Sequence, residues 1–227
     1  MGDPADPTGR TAARGPSPRI PAQDREAWRR TYEGTPYRDL PWFSPRPYSW
    51  LRRGVESGWI PRGCRVLDVG CGAGTNSIFL SRSGFRTSGV DLAPGAIAAA
   101  TARAKRAGLS IDFRVGDALQ LPYHDAFFGG LVDVGCFHTF PVSLRRGYAR
   151  ELARVLRPRG RYLLSWIARE STGERGPPHR PSLGEVTDAF EREFLFLRAE
   201  FEPAGRDRSD AYRALLERRS VPQPPPR

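Results

Sequence analysis

The sequence contains very little lysine, cysteine, histidine and methionine. Lys105 is its only lysine, so almost all of the formal net charge of +11 comes from arginine. A GC-rich genome produces such a bias as readily as selection for phosphate binding, so the charge alone assigns no partner. The cysteines, Cys64, Cys71 and Cys136, are scattered without a C-x-x-C pair, which argues against a disulfide framework or a structural zinc site. A three-histidine metal site is not expected either.

Long hydrophobic runs are also missing. No run approaches the roughly 20 apolar residues of a membrane span, and the first residues contain no apolar segment typical of a secretory signal. We therefore expect a cytoplasmic protein without a membrane span. The length of 227 residues suits one sizeable core. We predict a disordered leader at 1–21, one domain over 22–221 whose residues 22–60 form a helical lid, and a disordered tail at 222–227.

Short apolar segments alternate with helical segments from residue 65 onward. Strands are predicted at Val66–Val69, Thr87–Val90, Ile111–Val115, Gly130–Val134, Gly160–Trp166 and Phe194–Phe201. Helices are predicted at Thr75–Ser83, Pro94–Ala107 and Pro141–Leu156, with a capping box at Ser182–Glu185 opening another. This rhythm predicts an α/β fold, doubly wound around a mostly parallel sheet with helices on both faces. Residues 211–220 have a helix-like composition, but an antiparallel last strand fits the architecture better and is our prediction.

Three glycines alternate in the turn after the first predicted strand: Gly70, Gly72 and Gly74. Such a turn places backbone N–H groups at a helix N-terminus, and glycine removes side chains that would block a ligand. The ligand would lie beyond the carboxyl ends of the strands. The spacing differs from the G-x-G-x-x-G of dinucleotide sites, and Asp68 stands two residues before the first glycine. A carboxylate there would repel a pyrophosphate, which favours a positively charged nucleoside over NAD.

Two further acids follow the next two predicted strands. Asp91 directly follows the second strand, where a carboxylate can accept both ribose hydroxyls, although the position also suits a helix N-cap. Asp117 follows the third strand and can accept a hydrogen bond from an adenine amino group or simply begin a turn. Acids at three successive strand ends, beside a glycine turn, predict a nucleoside site.

These residues resemble the first three motifs of class I S-adenosylmethionine-dependent methyltransferases, and the resemblance covers residues 60–167. It implies a Rossmann-like, seven-stranded sheet with the last strand antiparallel, and S-adenosyl-L-methionine as cofactor. It also implies that the glycine turn and its acid hold the methionine portion, that the second acid binds the ribose, and that the third motif contacts adenine. The implied cofactor-binding residues are Asp68, Gly70, Cys71, Gly72, Gly74, Asp91, Leu92, Asp117, Ala118 and Asp133.

A narrower resemblance involves Leu131–His138, Arg146–Tyr148 and Pro41–Trp42. These segments are similar to the thiopurine, thiol and halide methyltransferases and to the tellurite-resistance methyltransferases. Val134 stands where that group usually has Arg, and Gly129 where it often has Asp, so the acceptor stays open. The resemblance implies a small-molecule methyl acceptor, a thiol or another soft nucleophile.

Methyl transfer from a sulfonium demands little acid–base chemistry. The leaving group is neutral, a thiol ionises readily, and holding donor and acceptor in line can supply most of the rate. The candidates for a base are Asp133 and His138, with support of the cofactor's amino group and plain packing as the respective alternatives. Cys136 can face soft acceptors as a thiolate or pack as a small hydrophobe.

Aromatic residues of the N-terminal segment can close the site and exclude water from the methyl group, or merely pack on the sheet. Faces of aromatic rings also attract a sulfonium. The predicted substrate or lid residues are Trp28, Tyr32, Trp42 and Phe137.

Residues 141–161 carry seven arginines against one glutamate. A helix of this kind can follow RNA, but the apolar stripe of Leu144, Tyr148, Leu152 and Val155 equally fits a packed helix with a solvated face. The alternatives left open are an RNA methyltransferase that uses this segment and a non-catalytic binder of the same cofactor. We expect a small-molecule partner rather than nucleic acid, and a monomer or weak homodimer.

Overall fold

The computed structural model describes residues 19–169, 179–203 and 210–221. The tail and all but the last three residues of the predicted leader lie outside this range. The helices are α1 (Ala22–Gly34), α2 (Ser49–Glu56), α3 (Thr75–Arg82), α4 (Pro94–Arg106), α5 (Val142–Val155) and α6 (Leu183–Phe190). The strands are β1 (Arg65–Val69), β2 (Arg86–Asp91), β3 (Asp112–Val115), β4 (Phe128–Val134), β5 (Leu156–Ile167), β6 (Phe194–Glu202) and β7 (Ala211–Arg218).

The strands of the described chain form one seven-stranded sheet in the order β3-β2-β1-β4-β5-β7-β6. Strands β1 to β5 pair in parallel, whereas β7 runs antiparallel to both β5 and β6. The α/β, mostly parallel fold with an antiparallel last strand is therefore confirmed. Residues 211–218 become a strand despite their helix-like composition because they are inserted between two strands that satisfy their backbone on both sides.

The sheet is covered on both faces, and this explains why its central strands are apolar throughout. Successive side chains of a strand point to opposite faces. Leu67 therefore joins a core built against α5 and α6, while its neighbour Val66 joins a second core built against α2 and α3. Sheets buried on both sides have near-continuous apolar strands rather than alternating ones. The capping box at Ser182 and Glu185 is present at the start of α6, as predicted.

Strands β4 and β5 begin earlier than predicted. Leu156 was expected to end α5, but its backbone is extended (φ −85°, ψ 134°), so α5 ends at Val155 and β5 starts at once. Pro158 removes the N–H that a longer helix would need. Phe128 pairs with Leu156, with a register shift before Gly130 pairs with Arg161, which extends β4 toward its amino end.

The predicted lid over residues 22–60 divides into two parts with different roles. Helix α1 buries none of its residues and packs on α4. Helix α2 instead buries Trp50, Leu51 and Val55 in the second core, so it is a structural helix of the domain. Ile20, in the predicted leader, packs against the first core and donates its N–H to Asp117, and the extent of the leader stays a prediction.

Candidate functional site

The carboxyl ends of β1, β2 and β4 bring three acids together. Val69 lies in register with Val90 of β2 and with Asp133 of β4, which places Asp68, Asp91 and Asp133 around one crevice. The negative charges of Asp133 and Asp91 both contribute to raising the pKa of Asp68, so Asp68 interacts electrostatically with each of them. The sequence predicts Asp68, Asp91 and Asp117 as the three acids of the site, whereas the structure groups Asp133 with Asp68 and Asp91, and Asp117 is bonded by Ile20 and Arg25.

The three glycines of the turn have positive φ angles but different reasons for being glycine. A Cβ on Gly70 would lie 2.6 Å from the Cβ of Cys136, and one on Gly74 would lie 2.9 Å from the Cβ of Ala100. These two positions are therefore needed for close packing. A Cβ on Gly72 would meet within 4 Å only the hydroxyl of Tyr32, at 3.1 Å. Gly72 alone faces the crevice, which corrects the interpretation that all three glycines make room for a ligand.

The Asp91 carboxylate holds two backbone N–H groups, one near the start of α4 and one in the glycine turn, and its ribose-binding role stays a prediction. Its Oδ1 accepts from the N–H of Ala93 at 2.9 Å, near the start of α4, and its Oδ2 accepts from the N–H of Gly72 at 2.9 Å. The carboxylate thus fixes the central glycine of the turn to the end of β2. Each carboxylate oxygen has further acceptor capacity, so these bonds leave room for donors from a ribose. Burial raises the pKa of Asp91.

Asp68 is almost fully buried, and its side-chain partner among the described residues is the hydroxyl of Ser77, which donates to Oδ2 at 2.6 Å. Burial raises the pKa of Asp68 to about 7, and no described cation forms an ion pair with it. A buried carboxylate that is left without a counter-charge is costly unless a cation arrives. The acids at the strand ends therefore fit a positively charged ligand, and Gly72 leaves the space for its approach. These residues fit the sulfonium and ammonium groups of S-adenosylmethionine.

Asp117 is held by the N-terminal segment. Its Oδ2 accepts from the backbone N–H of Ile20 at 3.1 Å and from the guanidinium of Arg25 at 2.9 Å, while Oδ1 accepts from the N–H of Leu119. Arg25 also donates to the carbonyl of Ile20. The expected adenine-binding acid is thus also the anchor of α1. Neither Ile20 nor Arg25 was singled out by sequence, because a contact that spans more than 90 positions leaves no local signal.

Tyr32 and Trp42 cover the glycine turn. The backbone of Tyr32 lies against Gly95, where a Cβ would approach its carbonyl oxygen to 3.2 Å, and its hydroxyl lies over Gly72. Burial raises the pKa of Tyr32, and the carboxylate of Asp91 adds to the effect, so the phenol stays protonated. Trp42 donates its indole N–H to that hydroxyl at 3.2 Å, and Trp28 packs edge-on against Trp42 at 5.5 Å. All three N-terminal lid candidates therefore lie together above the crevice.

Phe137 does not line the crevice, contrary to its prediction as a substrate or lid residue. Its side chain is fully buried in the first core, 5.0 Å from the ring of Phe190 and 5.8 Å from that of Tyr148. The Arg145 guanidinium lies over the same ring at 5.7 Å. The loop after β4 turns this side chain inward because its backbone is held by Asp133, as described next.

Asp133 is fully buried and accepts four hydrogen bonds. Oδ1 accepts from the N–H of Cys136 at 2.7 Å, and Oδ2 accepts from the N–H of Phe137 and from the hydroxyls of Tyr148 and Tyr162. Burial raises its pKa to about 6, although these donors oppose the shift. A carboxylate whose acceptor positions are taken up in this way fits a role in holding the loop after β4, rather than one in removing a proton.

His138 is likewise engaged. Its Nδ1 accepts from the backbone N–H of Ile167 at 3.0 Å, so the neutral ring carries its proton on Nε2. Burial lowers the pKa of His138 to about 3, and the positive charge of Arg180 lowers it further. The only lone pair that could take a proton is used by the backbone, which favours the packing alternative over a base role.

Two thiols lie near the crevice, that of Cys71 buried and that of Cys136 half-buried. Burial raises the pKa of Cys71 and of Cys136 well above the usual value, and the surrounding carboxylates add to both shifts. Thiols of this kind remain protonated and pack as small apolar groups. Ala118 is buried and Leu92 is half-buried beside the predicted adenosine site. Within the described residues, no group of three or more His, Cys, Asp or Glu side chains is placed to hold a metal ion.

The arginine-rich segment 141–161 is partly turned inward. Arg145 is buried and donates to the carbonyl of Phe140, and Arg154 bonds Glu151, Asp125 and two backbone carbonyls. Arg161 pairs with Glu217. These arginines stabilise the domain and do not form a continuous basic surface along α5. No helix in the described ranges has the length and apolar character needed to cross a membrane.

A seven-stranded, mostly parallel sheet with acids at its strand ends around a glycine turn defines the class I methyltransferase fold. Residues 66–160 match the family model described as a methyltransferase domain. The match covers somewhat less than half of the chain, and it lies over the part that contains the glycine turn and the acids at the strand ends.

Individual relatives agree with this. Over 125 residues, the chain is 33% identical to the 2-heptyl-1-hydroxyquinolin-4(1H)-one methyltransferase of Mycobacteroides abscessus, covering 55% of this chain and 54% of that one. It is 30% identical over 144 residues to the human EEF1A lysine methyltransferase 2, covering 59% and 61%. The chain thus spans only about half to three-fifths of the length of these curated relatives.

A solved structure has the same fold. It is the Burkholderia thailandensis 1,6-didemethyltoxoflavin-N1-methyltransferase, with its substrate and S-adenosylhomocysteine bound. The TM-score is 0.69 at 19% identity, with 91% of this chain and 94% of that one covered. The relatives act on different acceptors by name, so the narrower thiopurine, thiol and tellurite subgroup stays a prediction.

Proposed function

We propose that the protein is an S-adenosylmethionine-dependent methyltransferase that acts on a small molecule. The observation that carries this proposal is the buried carboxylate of Asp68, which no cation of the described residues pairs with, at the end of β1 directly before the turn that contains Gly72. A dinucleotide would bring a pyrophosphate to these acids, which is electrostatically unfavourable. A sulfonium and an ammonium group are stabilised there.

The crevice residues have separate tasks in this proposal. Asp68 and the turn of Gly70, Cys71, Gly72 and Gly74 hold the methionine portion. Asp91 accepts from the ribose hydroxyls while keeping the turn in place, and Asp117 with Ala118 and Leu92 lies at the adenine. Asp133 positions the loop after β4 rather than touching the reacting atoms. When bound, S-adenosylmethionine supplies a methyl group on a sulfonium, a neutral leaving group.

The residues of this chain contribute position and exclusion of water. Tyr32 and Trp42 close the crevice over Gly72, and the closed crevice keeps bulk water from the methyl group. Alignment of the acceptor with the methyl–sulfur bond is worth effective molarities of roughly 10⁵–10⁸ M in oriented reactions. This accounts for catalysis without a dedicated base.

The hydrogen bonding of Asp133 and His138, the two candidates for a base, limits which acceptors the protein can methylate. Asp133 and His138 are both occupied by hydrogen bonds within the protein. An acceptor that ionises unaided near neutral pH needs no base, and a thiol of pKa near 8.5 meets that condition. We therefore propose a thiol or another soft nucleophile as the acceptor.

The test is methyl transfer from labelled S-adenosylmethionine to a panel of thiols, iodide, hydroxylated aromatic compounds and bulk tRNA. We expect transfer to one of the soft nucleophiles, and a rate that rises with pH as a thiol acceptor ionises. Transfer to hydroxylated aromatics alone would keep the small-molecule assignment and remove the soft-nucleophile one. Transfer to tRNA alone would overturn both.

A non-catalytic binder of the same cofactor is the second candidate, because the crevice acids support binding regardless of chemistry. The two candidates differ in their need for a lid, because a protein that only binds the cofactor gains nothing when Tyr32 and Trp42 exclude water. Of the arginines in the 141–161 segment, Arg145, Arg154 and Arg161 are engaged within the domain, which reduces the basic surface that RNA modification would use.

A further inference from the structure

An open cavity lies between α3, α4 and the N-terminal segment. It has a volume of about 570 Å³, and the N-terminal side of its wall is formed by the short 3-10 turn at Tyr37–Asp39 and the residues that follow it. Its lining contains none of Asp68, Gly72, Asp91 or Tyr32. Cavities of roughly 300–1,000 Å³ are the usual size of small-molecule sites.

Four arginines line this cavity, and no acidic residue does: Arg38, Arg82, Arg103 and Arg106. Arg103 is half-buried and the other three are exposed. Among the ion pairs of the described residues, none of the four has a carboxylate partner. Guanidinium groups stay charged at any physiological pH. The cavity therefore holds a concentrated positive charge that the protein itself does not neutralise.

Arg103 is the central member of the group. Its Nη1 donates to the carbonyl of Ala73 and, at 2.9 Å, to the hydroxyl of Thr75, which fixes the guanidinium while its other donors form no hydrogen bond to a described residue. Burial lowers the pKa of Arg103, and the charges of Arg106 and Arg38 lower it further. Holding these cations close together is unfavourable, so an anion placed among them would relieve the repulsion.

Two aromatic rings complete the cavity wall. Tyr37 and Phe43 pack edge-on at 5.1 Å, and the Arg103 guanidinium lies 5.2 Å from the centre of the Phe43 ring and 5.6 Å from that of Tyr37. Arg38 lies over Tyr37 at 4.9 Å. Flat guanidinium and aromatic groups side by side can stack against a planar ligand ring as well as bind an anionic group.

We propose that this cavity binds a small phosphate ester carried on a flat ring. A dianionic phosphate accepts paired N–H bonds from several guanidinium groups and matches a charge of four arginines better than a single carboxylate does. The ring would lie against Tyr37 and Phe43. Because Arg103 also bonds Ala73, the site adjoins the glycine turn without sharing the crevice residues Asp68, Gly72, Asp91 and Tyr32.

The proposal is tested by calorimetry with phenyl phosphate, using phenol and inorganic phosphate as the two halves of the ligand. We expect phenyl phosphate to bind at least tenfold more tightly than either half. Arg106→Gln and Arg38→Gln should each weaken it at least tenfold. Arg150→Gln removes the same charge from an exposed position on α5 and should change affinity less than twofold.

Three results would overturn the proposal. One is an equal loss of affinity in Arg150→Gln, which would mean that only net charge matters. Another is displacement of phenyl phosphate by S-adenosylhomocysteine, which would place the ligand in the crevice. The third is binding of a single-stranded RNA through Arg38 and Arg106 when phenyl phosphate does not bind. Binding of S-adenosylhomocysteine to Arg106→Gln reports on the crevice separately, so failure of this proposal leaves the proposed function standing.

Discussion

The hydroxyl of Tyr148 donates to the buried carboxylate of Asp133 at 2.7 Å, on the same oxygen that Tyr162 reaches at 3.3 Å. This bond connects α5 to the end of β4, and through the N–H groups of Cys136 and Phe137 it fixes the loop that packs on Gly70. The geometry of the glycine turn therefore depends on a hydrogen-bonded acid that lies behind it.

Removing either tyrosine hydroxyl tests this dependence. Tyr148→Phe leaves Asp133 short of its closest side-chain donor and should lower the free energy of unfolding by about 1–3 kcal/mol. Tyr162→Phe removes the longer bond and should cost less. The measurement is urea unfolding of the two variants beside the wild type. Equal costs would mean that the bond lengths do not rank the two donors, and no cost in Tyr148→Phe would remove Asp133 as the organiser of the loop.

The second prediction separates backbone strain from access to the crevice. Gly72 and Gly63 both have positive φ angles, of 52° and 74°, but a Cβ on Gly63 meets nothing within 4 Å. Both alanine variants should therefore lose roughly 1–2 kcal/mol of stability from left-handed strain. Only Gly72→Ala should weaken binding of S-adenosylhomocysteine, by tenfold or more in calorimetry. Gly63 lies just before β1, at the end of the strand opposite to the glycine turn. If Gly63→Ala weakens binding as much as Gly72→Ala does, the loss of affinity comes from the loss of stability.

The third prediction concerns pH. Burial raises the pKa of Asp68 to about 7 in the free protein, and a cationic ligand lowers it because the ligand stabilises the ionised form. Binding of S-adenosylmethionine below about pH 7 must then release a proton from Asp68. Its affinity should rise with pH, by at most tenfold per unit, and level off above about pH 7.

S-adenosylhomocysteine provides the control, since it lacks the sulfonium charge. Its pH dependence should be weaker, and Asp68→Asn should flatten the curve for S-adenosylmethionine between pH 5 and 7. Calorimetry in buffers with different ionisation enthalpies measures the released proton directly. Affinity that stays constant with pH in the wild type would mean that Asp68 does not face the sulfonium or the ammonium group.

The fourth prediction tests the attachment of α1. Arg25 bonds Asp117 on the sheet, whereas Arg30 pairs only with Glu26 of its own helix. Arg25→Gln should increase amide hydrogen exchange throughout α1 with little change in β1 and β2, because the helix buries none of its residues. Arg30→Gln removes the same charge and should leave the exchange of α1 within twofold of wild type. Similar rates in both variants would show that the contact with Asp117 does not hold the helix.

The sequence sufficed to place the acids at the strand ends, because strand periodicity and glycine turns are local signals and parallel strands end at one edge. It also singled out Tyr32, whose hydroxyl lies over Gly72, and Trp42, which donates to that hydroxyl, although their role as a lid stays a prediction. It could not show that Phe137 points into the core, since that orientation depends on the buried Asp133 and on α6. The attachment of Ile20 and Arg25 to Asp117 was also missed, because it joins distant parts of the chain and involves a segment expected to be disordered.

The last prediction distinguishes an enzyme from a binder. Trp42→Ala removes the ring and the indole N–H that reaches Tyr32, so water gains access to the crevice. We expect turnover with the acceptor identified in the panel to fall at least tenfold, with less than a threefold change in the dissociation constant of S-adenosylhomocysteine. Trp42→Phe keeps an aromatic ring but lacks the N–H, and its turnover should lie between those of the wild type and Trp42→Ala. If the affinity and the turnover fall in parallel, Trp42 supports cofactor binding. If neither changes, the aromatic cluster only packs α1, and the non-catalytic binder becomes the better supported candidate.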